Sequence, residues 1–368
     1  MEERLTYAGA GVDYDVLDPF KRRAQAAGRS TADVLKRLGV AEVGMSRGES
    51  AYLIETADSF LAHVEEGLGT KNLVADAMYG LTGIRSYYDH IAQDTVAMIV
   101  NDMVTLGALP LAVAMHLGVG SSDWFKDERR AGDLVDGWRK ACTLARCAWG
   151  GGETPTLAGV VERHTVVLAG SAIGMVSPKE RLIRANIRHG DAIVLFESSG
   201  IHANGLTLAR AISERAPDGY LTLLPDGRAY GDALLDPTHI YVGVIEDCLN
   251  RGIDIHYAVN ITGHGWRKLM RAPDAYAYVL DELPVPPAVF PFMQSLGHID
   301  DREAFGNFNM GAGFAVYVPE KDVSAVLEVV QPFPFKALHA GHIEKSDRKK
   351  VVIQPKALEY SGDTLAVR

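Results

Sequence analysis

Six short segments carry residue types that could bind an anion, a metal or a reacting group. The first, Glu66-Gly67-Leu68-Gly69-Thr70-Lys71, sets two glycines ahead of a hydroxyl and a point charge. Glycines let backbone N–H groups approach phosphate oxygens, and Lys adds a cation. The spacing is not that of a P-loop, and no helical pattern opens directly after Lys71, so a glycine turn with a surface lysine competes. The second is Asp94, Asn101 and Asp102. On a helix these fall within about one quadrant, where oxygen ligands could hold Mg2+ beside substrate phosphates. The competing reading makes Asp94 an N-cap and Asn101-Asp102 a helix-ending turn. In the third, Gly150-Gly151-Gly152-Glu153, a run of glycines costly to order precedes a carboxylate. A flexible surface loop competes there.

The fourth, Ser198-Ser199-Gly200-Ile201-His202-Ala203-Asn204-Gly205, lies between a strand pattern and a helix pattern from Leu206. Backbone donors at such a helix start attract anions, although an ordinary N-cap would look similar. Asn260-Ile261-Thr262-Gly263-His264-Gly265 is a further Gly-spaced loop before an apparent helix from Trp266. Phe308-Asn309-Met310-Gly311-Ala312-Gly313 leads into a strand.

The elements that must position these loops are mixed. Residues 30–40 and 127–147 have helical apolar spacing, whereas Thr165–Leu168, Ala192–Phe196 and Phe314–Val318 read as strands. Without a strict βαβα rhythm the class is α/β or α+β. A boundary near Ser177-Pro178-Lys179 divides an N-terminal domain, 1–177, from a C-terminal domain, 178–350. Residues 351–368 read as a polar tail. Met103–Ser122 is uncharged over about a bilayer's span, but its Pro110 and glycines suit a helix end, a turn and a buried strand.

Composition bounds the function classes. The 368 residues carry 37 Lys and Arg against 47 Asp and Glu, a formal charge of −10, with 47% hydrophobic residues. That is ordinary globular composition, and the acidic balance argues against non-specific nucleic-acid binding. Three cysteines without CxxC spacing support neither a disulfide framework nor a zinc site. The opening Met1-Glu2-Glu3-Arg4 lacks a secretory pattern, so the expectation is a cytoplasmic protein without a membrane partner.

Taken in order, the motifs resemble those of the aminoimidazole ribonucleotide synthetase (phosphoribosylformylglycinamidine cyclo-ligase) family. The resemblance runs from Ala10-Gly11-Val12-Asp13-Tyr14-Asp15 through Gly67–Lys71, Asp94–Asp102, Gly107–Leu111 and Gly151–Thr154. It continues through Ser198–Gly205, Leu235–Val242, Thr262-Gly263 and Phe308–Gly313. It implies a homodimer whose N-terminal strands pair into a β-barrel, each with a C-terminal α/β domain. It also implies a ligase of purine biosynthesis: ATP and formylglycinamidine ribonucleotide give aminoimidazole ribonucleotide, ADP and phosphate.

The resemblance further implies roles. Gly67, Gly69, Thr70 and Lys71, with Asn101, Gly151 and Gly152, would bind ATP. Asp94, Asp102 and Glu153 would hold Mg2+. Ser199, His202, Asn204, Gly205, Thr262 and Gly263 would contact the nucleotide substrate, and Lys71, Asp102, His202 and His264 are the catalytic candidates. Departures from the family pattern are Glu66 for Asp, Pro155–Ala158 for Ala-Glu-Met-Pro, and Ala203 for Ser. In addition, Asn260-Ile261-Thr262-Gly263-His264-Gly265 stands for His-Ile-Thr-Gly-Gly-Gly, where His264 either restores the lost imidazole or marks a different substrate. A paralogue acting on another amide or nucleotide, and a non-catalytic nucleotide-binding dimer, are the competing functions.

Overall fold

A computed structural model describes Gly9 and residues 14–365. Ala10–Asp13, where the resemblance begins, and Ala366–Arg368 lie outside the described residues. After helix α1 (Tyr14–Arg29), six strands form the first sheet: β1 (Ala41–Glu42), β2 (Tyr52–Glu55), β3 (Phe60–Gly67), β4 (Leu109–Val119), β5 (Ala148–Glu153) and β6 (Val166–Val176). Their order is β1-β2-β3-β6-β4-β5, antiparallel throughout except for β4 beside β5.

Strict alternation decides which face of this sheet is covered. Phe60, Ala62 and Val64 on β3, and Val166, Leu168 and Ala172 on β6, point inward, with Leu61, Val167 and Ile173 on the opposite face. Helices α2 (Lys71–Thr82), α3 (Tyr88–Val104) and α4 (Glu128–Leu144) occupy the first domain, and α3 packs on β3 and β6. A Cβ on Gly170 would lie 2.9 Å from Ile99 of α3, so a glycine is needed for that approach.

The second sheet orders its strands β13-β12-β9-β11-β7-β10-β8. These are β7 (Asp191–Glu197), β8 (Tyr257–Asn260), β9 (Tyr276–Leu280), β10 (Ala312–Pro319), β11 (Ala337–Lys345), β12 (Lys350–Ile353) and β13 (Leu358–Ser361). Helices α5 (Leu206–Ser213), α6 (Tyr230–Leu234), α7 (Val242–Asn250), α8 (Val289–Gly297), α9 (Asp301–Asn307) and α10 (Val323–Val330) complete a two-domain α/β fold. Strands β7, β8 and β10 are buried almost throughout, which is why they read as continuous apolar runs. Helix α3 also touches α7 and β8, so it is wedged between the domains and is buried on nearly every side.

Several expectations need correction. A helix does open directly after the glycine turn, at Lys71, with Lys71, Val74, Ala75 and Met78 forming its buried stripe. One of those positions is a lysine, which hid the pattern. Asp94 and Asn101-Asp102 are interior to α3, neither its N-cap nor a terminal turn. The helix expected from Trp266 is a 3-10 segment, Gly265–Met270, as is Ala32–Leu38. The expected tail contains two strands: β12 pairs in parallel with β9, and buried Val351, Ile353 and Tyr360 anchor β12 and β13. No helix among the described residues is long and apolar enough to cross a membrane.

Candidate active site

A cavity of about 520 Å3 opens between the two domains. The first domain contributes Glu66 from the end of β3, and Met98 and Asp102 from the last two turns of α3. The second contributes Asn204, from the loop before α5, and Thr262, Gly263, His264 and Lys268 from the segment after β8. Glu49, Arg271 and residues of α1 complete the rim. Five expected site residues therefore converge here: Asp102, Asn204, Thr262, Gly263 and His264.

Asp102 is buried, and its Oδ1 accepts a 2.7 Å hydrogen bond from Asn260 Nδ2 at the end of β8. The asparagine standing at the family's histidine position thus still serves this cavity. His264 replaces a family glycine and takes up the glycine's backbone, at φ 71°. Its imidazole lines the cavity, and burial, reinforced by Arg267 and Lys268, pulls its pKa to about 3, so it is neutral at pH 7. Gly265 stays glycine because a Cβ there would lie 2.4 Å from the Phe305 carbonyl oxygen.

Two cavity residues escaped sequence reasoning as functional side chains. Burial, and next the charge of Asp102, push Glu66 up to about 7. Burial lowers Lys268 to about 8 against the opposing pull of Asp102, and its ammonium donates to Thr262 Oγ1. The signal for Glu66 was present as a carboxylate opening the glycine turn. Lys268 had none, since its six-residue distance from Thr262 matches no common motif.

The remaining expected residues sit elsewhere. Lys71 and Asp94 are fully buried and paired at 2.8 Å. Lys71 Nζ also donates to the Asp236 carbonyl at 2.8 Å, and Asp94 Oδ1 accepts from the Thr238 backbone N–H and hydroxyl. Asn101 donates to the His239 carbonyl and accepts from the Tyr241 N–H, each at 2.8 Å. Gln93 and His90 bind the carbonyls of Thr238 and Leu235. One face of α3, with Lys71, therefore holds the backbone of residues 235–241 of the other domain.

That same segment meets the loop before α5 from the other side. Ser199 Oγ donates to the Pro237 carbonyl at 2.6 Å, and its backbone N–H donates to His202 Nε2 at 3.2 Å. His202 is buried beneath the loop, and desolvation, with His239 and Lys71 nearby, holds its pKa well below the ordinary range. Gly205, at φ 87°, presses its backbone against the Phe308 ring. Asn309 accepts from Ser198 Oγ and donates to the Gly200 carbonyl, which explains the Phe308–Gly313 motif as a brace for this loop.

Gly67, Gly69 and Thr70 form the turn from β3 into α2, with Gly69 at φ 77°. Gly152 and Glu153, with Gly151 before them, lie on β5. Gly152 and Glu153 line a separate hollow of about 380 Å3 with Glu65, His116 and Ser171. Glu65 and Glu66 are successive residues of one strand and point to opposite faces, so the first sheet stands between Glu153 and Asp102. Asp94, Asp102 and Glu153 are not brought together. Among the described residues no group of three or more His, Cys, Asp or Glu side chains is placed to hold a metal.

Two family models match the chain, the N-terminal domain of AIR synthase related proteins over residues 48–176 and the C-terminal domain over 188–354. The chain belongs to the AIR synthase related family. It is 33% identical over 330 residues to a phosphoribosylformylglycinamidine cyclo-ligase of Methanothermobacter thermautotrophicus, covering 89% of this chain and 91% of that one. It is 32% identical over 360 residues to the cyclo-ligase of Carboxydothermus hydrogenoformans, covering 95% and 99%. Its fold is similar to T. maritima PurL complexed with FGAR, with a TM-score of 0.58, 16% identity, and coverage of 89% of this chain and 49% of that one. It is also similar to AaThiL complexed with AMPPCP and TMP, with a TM-score of 0.56, 14% identity, and coverage of 85% and 90%.

Proposed function

We propose that this member of the AIR synthase related family is an ATP-dependent cyclo-ligase that closes formylglycinamidine ribonucleotide to aminoimidazole ribonucleotide in the cytoplasm. The observation that carries the reading is the convergence of Asp102, Asn204, Thr262, Gly263 and His264 on one interdomain cavity, in a chain about one-third identical to named cyclo-ligases along nearly its whole length. A volume of about 520 Å3 suits a ribonucleotide.

The reaction asks for little covalent help from the protein. An amide oxygen is a poor leaving group until ATP phosphorylates it. The neighbouring amidine nitrogen then attacks the activated carbon and phosphate departs. Positioning and charge neutralisation dominate such a step. Lys268, with its ammonium turned to Thr262 and the cavity, would meet negative charge developing on the transferred phosphoryl group. Asn204 and Asp102, on opposite domains, would orient the amidine between them.

Mg2+ fits the cavity's donor set better than it fits Asp94. Asp94 is already neutralised by Lys71, whereas Glu66 and Asp102 are close enough for one to raise the other's pKa. Mg2+ takes one or two carboxylates together with substrate phosphates, and would neutralise phosphate charge there. The glycine turn at Gly67, Gly69 and Thr70 would supply N–H groups to ATP. The structural relative bound to AMPPCP supports a nucleotide on this fold. Glu153, Gly151 and Gly152 would serve only a ligand bound in the hollow on the outer face of the sheet.

That outer face exposes Leu61, Val167 and Ile173, each at least 43% exposed, as a surface for a second copy and the pairing of strands into a barrel. The test is ADP release by the purified chain with Mg-ATP, with and without formylglycinamidine ribonucleotide, while the imidazole product is assayed. Equal, substrate-dependent yields of ADP and product are expected. ATP binding without coupled turnover would overturn the reading. It would favour instead a paralogue for another amide-bearing nucleotide, the alternative that the departures at Asn260 and His264 raise.

A further inference from the structure

The corner between α4 and β5 brings two cysteines together through the way the helix stops. Arg146 follows α4 in the left-handed region at φ 53°. The Cys147 N–H then donates back to the Cys142 carbonyl at 3.0 Å, and the Arg146 N–H to the Thr143 carbonyl at 3.1 Å. This pair of bonds is the Schellman termination, in which the side chains six residues apart, counted inclusively, meet across the helix end. An apolar pair commonly fills those two positions; here they are Cys142 and Cys147. Arg146 is a costly residue at a positive φ. Its guanidinium is held on α7 by Glu246 at 2.6 Å and Asp247 at 2.8 Å, which fixes the corner.

We infer that Cys142 and Cys147 form a reversible intramolecular disulfide when the protein meets a hydroperoxide, with the dithiol as the resting state. Cys147 is half-buried and Cys142 buried, so Cys147 is the sulfur a peroxide reaches. Its thiolate sulfur bonds to one peroxide oxygen and the O–O bond breaks. The departing oxygen takes up a proton, leaving a sulfenic acid and one water or alcohol. The Cys142 sulfur then attacks the Cys147 sulfur and displaces hydroxide. That hydroxide leaves as water with the Cys142 proton, so two thiols lose two electrons and the peroxide gains them.

The neighbouring Cys142 thiol also holds the Cys147 pKa below its ordinary value, which favours the attacking thiolate. The bridge needs no movement of secondary structure, because the helix termination already sets the two backbones side by side. Its effect is to stop Cys147 before sulfinic acid, which cells rarely reverse. Cys248, buried on α7, belongs to no such pair among the described cysteines.

The experiment treats the reduced full-length protein with a few equivalents of hydrogen peroxide, then counts thiols and measures intact mass. Of three thiols, two should disappear, with a loss of about 2 Da and a linked pair of tryptic peptides cut at Arg146. Dithiothreitol should restore both. In Cys142→Ser, Cys147 should instead gain two oxygens, and in Cys147→Ser the buried Cys142 should stay reduced. Three surviving thiols in the wild type would overturn the inference. So would oxygen addition at Cys147 as extensive as in Cys142→Ser, or a cross-link between two chains.

Discussion

Lys71 and Asp94 form a 2.8 Å ion pair with neither side chain exposed to solvent, and both reach across the domain boundary to the backbone of residues 236–238. Two residues whose types suggest phosphate and metal thus also join the two halves of the molecule. Removing one partner leaves the other charge buried and unpaired, which costs about 3–5 kcal/mol. Lys71→Met and Asp94→Asn should each lower the urea midpoint steeply. The double variant Lys71→Met/Asp94→Asn should lose less than the sum of its parts. Tryptophan fluorescence, with buried Trp138 in the first domain and buried Trp266 in the second, follows the unfolding of both. Additive losses would show that the pair is not coupled.

Asn260 should act on the reaction through Asp102. Asn260→Ala removes the 2.7 Å donor and leaves a buried carboxylate oxygen without it, a cost of about 1–3 kcal/mol. We expect kcat/KM to fall about 10- to 100-fold. Asn260→His, the residue usual in the family, should recover part of that loss if an imidazole N–H can reach the same oxygen. Unchanged kinetics in Asn260→Ala would detach Asp102 from the chemistry.

Lys268→Met should lower kcat/KM at least 100-fold, while Lys268→Arg keeps a charge in the cavity and loses less. Thermal midpoints of both should stay within about 2 °C of the wild type, since a part-buried cavity lysine contributes little to packing. Equal kinetics in Met and wild type would remove Lys268 from the site.

Acid should weaken the fold through its buried imidazoles. Burial lowers His239 to about 4 and His264 to about 3, and holds His202 well below the ordinary imidazole range. A histidine kept neutral in the folded chain binds fewer protons than in the unfolded chain. Its stabilising contribution is therefore complete above the unfolded pKa near 6.5 and declines as pH falls toward the folded value. Glu66, raised to about 7, has the opposite sign: its contribution is complete below about 4.5 and is lost as pH rises through 7. Three histidines against one carboxyl predict a net fall in urea midpoint from pH 7 to pH 5. His264→Asn should flatten that slope, and an unaltered slope would contradict the assignment.

Much of the architecture was legible because burial leaves simple patterns. Short apolar runs marked the start of β6 and most of β7, and Leu134, Trp138 and Cys142 marked the inner stripe of α4. The order of the motifs gave the family. What stayed hidden was the partner of each polar residue. Lys71 reads as a surface cation because its counter-ion lies 23 residues away and its second acceptor 165. Lys268 carries no local signature, because the carboxylates it faces come from the other domain. The strands after residue 350 were missed because they are only four residues each, and Lys350–Ile353 joins the sheet through β9, some seventy residues earlier, as well as through β13.

The pairing of β12 with β9 has a consequence for how the molecule is made. Arg267, next to Lys268, gives a hydrogen bond to the Thr364 carbonyl, and Leu365 lies on the cavity rim. During synthesis Lys268 emerges long before the residues that close over it. A chain interrupted after Arg271 would hold the cavity's polar groups yet lack Leu365 on its rim. Leu365 follows on β12 and β13, so the rim of the cavity is completed after its polar floor has been made.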